Sequence, residues 1–468
     1  MRAVIEHILR RHSCGRAWGA GGSIRLIRWK AGTIYVGLSS PIVRDGLWSF
    51  ALKLAYTGVQ FLVTVVLARV LGAEGYGIYA YAYALVMLLS LPAQAGLPNL
   101  VLRETARGIA EGRPDLVQGV WRWASQAGAL VSVALIGLAA ALLVLLRGGR
   151  MGVQEWALAW ALSLVPLVVL GNIRGAALRG LGCIVPGQLP EFVIRPGLFL
   201  VLALGLGLVS SGRPSAAAAM ALHVAAAAIA FIVGGFMLWR FTPRAVWQTQ
   251  PQYAGQAWLS SVFPLAIIAA MQTINHQADI LILGLFQSDR EVGLYRVAVQ
   301  SATLASFGLQ AVNTVVAPRF ARLYTKGKMD ELQRLATISA RVVLSFNVAV
   351  TVLFVLFGKV FLISVFGPAF VASYIPLLIL LLGQFINAAM GSVGFLLNMT
   401  GHEKDTARVL VIAASINVIL NFLCIPWSGM VGAAFASATS MALWNALLWR
   451  TARRRLGINT MAFSLSKE

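Results

Sequence analysis

The chain has 468 residues, 59% of them hydrophobic and only 12% charged, with a formal charge of +22. A water-soluble domain carries roughly a quarter charged residues, so this composition excludes an ordinary water-facing surface. The Lys and Arg residues fall in short segments between apolar blocks rather than on one basic face, which excludes a nucleic-acid footprint and reads as membrane topology.

Residues 1–45 carry Arg2, Arg10, Arg11, Arg16, Arg25, Arg28, Lys30 and Arg44 and lack the apolar stretch of a secretory signal. This basic segment is expected to remain in the cytoplasm. Val4, Ile5, Ile8 and Leu9 have the spacing of a short helix lying on anionic lipid.

Apolar blocks of about 20 residues then recur, each long enough to cross a ~30 Å hydrocarbon layer as a helix. A first half, 46–240, contains blocks at 46–71, 77–101, 121–146, 156–178, 189–210 and 216–239. A second half, 258–449, contains blocks at 258–286, 293–317, 342–364, 371–397, 408–427 and 430–449, and residues 450–468 form a basic tail. The predicted fold is all-α: a polytopic membrane protein of about 12 transmembrane helices, in two parallel six-helix halves around a central cavity.

Basic residues concentrate at the termini and in the even-numbered connections. The odd-numbered connections hold only Arg147, Arg150, Arg213 and Arg290. The positive-inside rule therefore predicts cytoplasmic termini and two main cytoplasmic loops at 102–120 and 318–341.

An offset of 216 residues places Gly77, Tyr79, Ala82, Leu88, Ser90, Gln94, Ala95 and Arg103 on Gly293, Tyr295, Ala298, Leu304, Ser306, Gln310, Ala311 and Arg319. This reads as an internal duplication. Six spans per half give the two copies the same orientation, with their axis along the membrane normal.

The sequence has no nucleophile elbow, phosphate-binding loop or metalloprotease motif, and Cys14, Cys183 and Cys424 match no zinc spacing. Neither enzymatic chemistry, a metal nor a cofactor is expected. The informative residues are the ionisable ones within spans: Lys53, Arg69, Arg174, Glu191, Arg195, Asp279, Arg296 and Lys359. A mid-span charge costs roughly 2.5–3.5 kcal/mol on the insertion scale, so these residues should line a wet cavity, pair, or snorkel.

Arg69, Arg174 and Lys359 lie near span ends, where snorkelling is the simpler reading. Glu191 and Arg195 have the favoured acid-first i,i+4 order, which suits mutual neutralisation as well as substrate contact. Asp279 follows Gln272, Thr273, Asn275, His276 and Gln277 in a segment too polar to face lipid, fit for a path lining or a buried polar seam. Six cations against two acids predict a positive cavity that attracts an anion such as a pyrophosphate headgroup and disfavours a cationic drug.

The run Leu71-Gly-Ala-Glu-Gly-Tyr-Gly-Ile-Tyr-Ala80, followed by Ala95-Gly96-Leu97 and Leu102-Arg-Glu104, resembles the polysaccharide flippases of the multidrug/oligosaccharidyl-lipid/polysaccharide exporter superfamily. Asp279-Ile-Leu-Ile-Leu-Gly284 and Val292-Gly-Leu-Tyr295 resemble that family's seventh and eighth spans. The resemblance covers about Gly46 to Trp449.

It implies alternating-access translocation of polyprenyl-pyrophosphate-linked oligosaccharide across the cytoplasmic (inner) membrane, for O-antigen, capsule or exopolysaccharide synthesis. The implied partners are that lipid-linked oligosaccharide, membrane lipids, and a polysaccharide polymerase with its chain-length machinery. Candidate substrate contacts are Arg296, Lys53, Arg195, Arg103, Arg319, Gln272 and Asn275, and candidate ion-coupling residues are Asp279 and Glu191. The alternatives in the same superfamily are a lipid-linked peptidoglycan precursor flippase, which usually has two more C-terminal spans, and a multidrug cation antiporter.

Overall fold

The structure, a computed structural model, describes residues 41–147, 152–210 and 212–463. The expected lipid-surface helix near Val4–Leu9, most of the basic segment 1–45 and the last residues of the tail lie outside them. The described residues are helical, with no β-strand among them.

In chain order the main helices are α1 (Pro41–Gln94), α2 (Leu97–Ala110), α3 (Pro114–Arg147), α4 (Val153–Leu162), α5 (Leu164–Gly180), α6 (Ile184–Leu189), α7 (Arg195–Val209) and α8 (Ala216–Phe241). After the short α9 (Arg244–Gln248) come α10 (Gly255–Phe286), α11 (Asp289–Ala302), α12 (Phe307–Thr325), α13 (Met329–Val365), α14 (Tyr374–Met390), α15 (Val393–Met399) and α16 (Glu403–Leu456).

Eight helical stretches among the described residues are long and apolar enough to cross a membrane. Length and hydropathy alone thus do not reach a count of twelve. Two of the eight, Ala51–Gln94 with 44 residues and Glu403–Leu456 with 54, exceed one crossing. Each is broken by a glycine at positive φ, Gly72 (φ 72°) in α1 and Gly429 (φ 52°) in α16. A side chain there would strain the backbone, so glycine is what permits the chain to turn. The charged, 14-residue α11 is too short to span alone and continues through a 3₁₀ turn, Thr303–Ser306, into α12.

Bundle exteriors are apolar: Leu130, Leu145, Leu208, Val209 and Trp427 are 75–90% exposed. In a bilayer such side chains meet lipid at no cost, and packing inside is left to small residues and polar contacts.

The most extensive interhelix contact joins α1 to α11 across the two halves. At its centre Gly77 meets Gly293, the pair related by the 216-residue offset. A methyl on Gly77 would lie 3.0 Å from the amide nitrogen of Gly293 and collide with the carbonyl of Asp289; one on Gly293 would lie 3.0 Å from the amide of Gly77 and collide with the carbonyl of Ala73. Asp289 and Ala73 have the same offset, so the contact is reciprocal, as at a local two-fold axis.

Two further contacts close the same end. Arg69 of α1 donates from Nε to the Val365 carbonyl at 2.7 Å and from Nη2 to that of Ser364, capping the negative end of α13. Gln154 donates to the Asp289 carboxylate. Arg69 therefore does not simply snorkel; it ties one half to the other.

Candidate functional site

Between the halves lies a cavity of about 50 Å³, lined from α1 by Gln60, Thr64, Tyr76, Tyr79 and Tyr83, from α8 by His223, and from α11 by Arg296 and Gln300. The three tyrosines are spaced i, i+3, i+7, which puts them on one helix face. Their rings stack at 6.3 Å centroid separations, Tyr76 on Tyr79 and Tyr79 on Tyr83. Arg296 is half-buried and, among the described residues, has no carboxylate within ion-pair distance.

Behind His223 is a charged network inside the first half. Arg195 donates from Nη1 to Glu191 at 3.3 Å, and from Nε to His223 Nε2, also at 3.3 Å. Arg174 donates to the other Glu191 oxygen at 3.2 Å. Guanidinium only donates, so Nε2 of His223 is an acceptor and the ring hydrogen belongs on Nδ1, which faces Tyr79 Oη at 2.7 Å. The tyrosine hydroxyl then has its own hydrogen to offer to the cavity.

Two guanidiniums share one carboxylate, leaving this cluster with a net positive charge at the edge of a cavity that already contains Arg296. Glu191 sits in a π turn, Pro190–Ile194, closed by the bond from the Arg195 amide to the Pro190 carbonyl. Pro190 and Pro196 supply no amide hydrogen, so the regular ladder is interrupted there anyway.

Asp279 lies elsewhere, in the core of the second half. Its Oδ2 accepts from Tyr295 Oη at 2.6 Å and Ser437 Oγ at 3.2 Å, and its Oδ1 from the Ile280 amide at 2.9 Å. Every partner is a donor, an arrangement suited to a carboxylate. Next to it, α10 and α16 enclose a cavity of about 120 Å³ lined by Asn275, His276, Asn417, Ser437 and Ser440. Asn275 Nδ2 is buried there without a partner among the described residues.

The remaining sequence candidates are dispersed. Exposed Lys53 lines a separate cleft with Gln310, Asn313 and Phe395. Arg103 is exposed and pairs with Glu104 at 2.9 Å, and Arg319 is exposed on α12. The side chain of Gln272 lies outside the described ones. Lys359 is exposed, its ammonium 5.4 Å from the Tyr374 ring centre. Arg174 is only 6% exposed, so it is enclosed by its neighbours rather than extended to an interface. The positive charge at the central cavity therefore comes from Arg296 and the Arg195 cluster rather than from all six cations. Sequence reasoning missed His223 and the tyrosine face, although the i, i+3, i+7 spacing was visible.

Residues 42–181 match the family described as "Polysaccharide biosynthesis protein". Over 410 residues the chain is 25% identical to a probable low-salt glycan biosynthesis flippase, Agl15, of Haloferax volcanii, covering 86% of this chain and 81% of the relative. The chain is thus similar to a polysaccharide biosynthesis family over residues 42–181 and to a probable glycan flippase over most of its length. Its fold is shared with solved transporters. A lipid II flippase, MurJ, in an inward closed conformation matches with a TM-score of 0.69 at 13% identity, covering 87% of each chain. An inward-facing multidrug resistance MATE family transporter matches with a TM-score of 0.68 at 13% identity, covering 88% of this chain and 98% of the other. At such identity these two likenesses establish the shared helical transporter fold and nothing about substrate.

Proposed function

We propose that this flippase carries a polyprenyl-pyrophosphate-linked oligosaccharide from the cytoplasmic to the outer leaflet, with the pyrophosphate held by Arg296 and the Arg195 cluster. The observation that supports this most is the guanidinium of Arg296, which faces the inter-half cavity with no acidic partner among the described residues. An unpaired cation in a water-poor cavity favours an anion strongly and disfavours a cationic drug. Stacked tyrosines beside it offer hydroxyls and ring faces of the kind that suit sugar hydroxyls.

At about 50 Å³ the cavity is small beside a lipid-linked oligosaccharide, so in this reading the halves part to admit one. In this reading the two halves rock about the Gly77–Gly293 contact, and Asp279 with its donor set carries or senses a coupling cation.

The reading is tested by deleting the gene and extracting lipid-linked glycans. Accumulation of a polyprenyl-pyrophosphate oligosaccharide with loss of surface glycan is expected; normal surface glycan with new drug sensitivity would instead indicate an antiporter.

The proposed topology has both termini in the cytoplasm, with Gly72, Asp289 and Gly429 at the outer end. With native cysteines replaced by serine, cysteines at the exposed Glu111 and Lys326 are expected to resist a membrane-impermeant thiol reagent in intact cells, whereas one at exposed Gly212 reacts. Equal labelling at all three positions would overturn the assignment.

A further inference from the structure

A second cavity, of about 240 Å³, lies within the first half between α3, α5 and α8, apart from the central one. Its wall is apolar, from Trp121, Ile173, Phe231 and Leu238, apart from Ser125 and a single charge, Arg174. That guanidinium is held from three sides. Nη1 donates to the Phe231 carbonyl at 2.5 Å, Nη2 to Glu191 at 3.2 Å, and the guanidinium carbon stands 5.2 Å from the Phe231 ring centre. Gly234 is what lets it pass, since a methyl there would overlap the guanidinium. With all this support, Nε of Arg174 remains buried with no hydrogen-bond partner.

A fixed, buried, unsatisfied donor on a cation, in a group whose single carboxylate is shared with Arg195, calls for an anionic oxygen. The apolar wall calls for something more than a free anion. Gly235 on the rim is exposed, and beside it on α8 Ile232, Phe236 and Trp239 are 61–69% exposed, so the mouth lies on the lipid-facing surface. Arg174 is six residues, about 9 Å, from the end of α5, within reach of lipid headgroups.

We propose that this cavity binds an anionic membrane phospholipid, its phosphate at the Arg174 guanidinium, whose Nε is uncovered as the lipid enters, and one acyl chain running inward along Leu170 and Phe231. The site is a separate cavity from the central one, linked to it through Glu191, which Arg174 and Arg195 share.

The test uses the purified full-length protein, stripped of lipid in detergent micelles and titrated with dioleoylphosphatidylglycerol, dioleoylphosphatidylcholine or inorganic phosphate. A ligand that binds only the folded state raises Tm. Phosphatidylglycerol is expected to raise it saturably, by about 3 °C or more, and the other two are not.

Two variants guard against misfolding. Arg174→Gln removes the charge. Gly235→Leu fills the mouth without touching Arg174, since a Cβ at 235 meets open space. Each should weaken phosphatidylglycerol binding roughly tenfold or more, and Gly235→Leu should leave the lipid-free Tm unchanged. The proposal is overturned if phosphatidylcholine acts equally, if inorganic phosphate alone reproduces the shift, or if both variants bind phosphatidylglycerol like the wild type.

Discussion

Replacing Arg296 with glutamate is expected to abolish restoration of surface glycan in a deletion strain while the protein still reaches the membrane. The guanidinium is half-buried in the inter-half cavity and faces no carboxylate among the described residues, so its charge is available to a ligand. Charge-assisted hydrogen bonds contribute about 1.5–3 kcal/mol each, roughly ten- to a hundred-fold in affinity, and a carboxylate at the same place adds repulsion. Arg296→Ala should lose most transport. Arg296→Lys should keep part of it, because an ammonium supplies charge without the bidentate fork.

Asp279→Asn belongs in the same assay, since it removes the charge while its amide oxygen can still accept from the Ile280 amide and its NH₂ can donate to the Tyr295 and Ser437 hydroxyls. It should impair transport beyond any fall in membrane protein level. Normal glycan at normal expression in both Arg296→Glu and Asp279→Asn would remove the case for a cationic site with a coupling carboxylate.

Gly77→Ala is expected to hold the outer end open. The added methyl cannot coexist with the Asp289 carbonyl in the observed packing, so α1 and α11 must separate wherever this contact is made. Overpacking of this kind costs about 1–3 kcal/mol, and because the cost falls only on the closed arrangement, it shifts the two-state balance about five- to a hundred-fold. With native cysteines replaced, a cysteine at Gln300 in the cavity should react about ten times faster with an impermeant thiol reagent added outside, and transport should fall. Gly293→Ala should act in the same direction, since it meets the Ala73 carbonyl in the reciprocal way. Unchanged labelling and unchanged transport in both variants would mean that these helices do not part during the cycle.

The breaks at Gly72 and Gly429 fall in the gaps between apolar blocks 46–71 and 77–101, and between 408–427 and 430–449. Those gaps were legible because a glycine or a charge interrupts an otherwise apolar run. The Glu191–Arg195 pair was legible too, because i,i+4 neighbours meet on any regular helix face, and a π turn did not prevent it. Arg174 was not legible as its second partner. It comes from another helix, and helix packing rather than local spacing decides which turn faces which. For the same reason distance from a span end misled for Arg69 and Arg174: one finds the carbonyls of α13, the other a slot opened by Gly234.

By itself the sequence determined that the bilayer is this protein's solvent, that the chain is helical, and that a duplicated pattern links Gly77 to Gly293. Hydropathy, helical period and offset are one-dimensional quantities, set by the order of residues and the thickness of a bilayer. Only the tertiary structure decided that the two related glycines touch each other, that Arg296 faces the inter-half cavity while Asp279 is satisfied by Tyr295 and Ser437, and that Lys53, Arg103 and Arg319 lie away from that cavity. In a membrane the apolar faces of helices gain little by meeting one another rather than lipid. Close approach at small residues and the pairing of buried polar groups therefore choose the neighbours, and both depend on residues far apart in the chain.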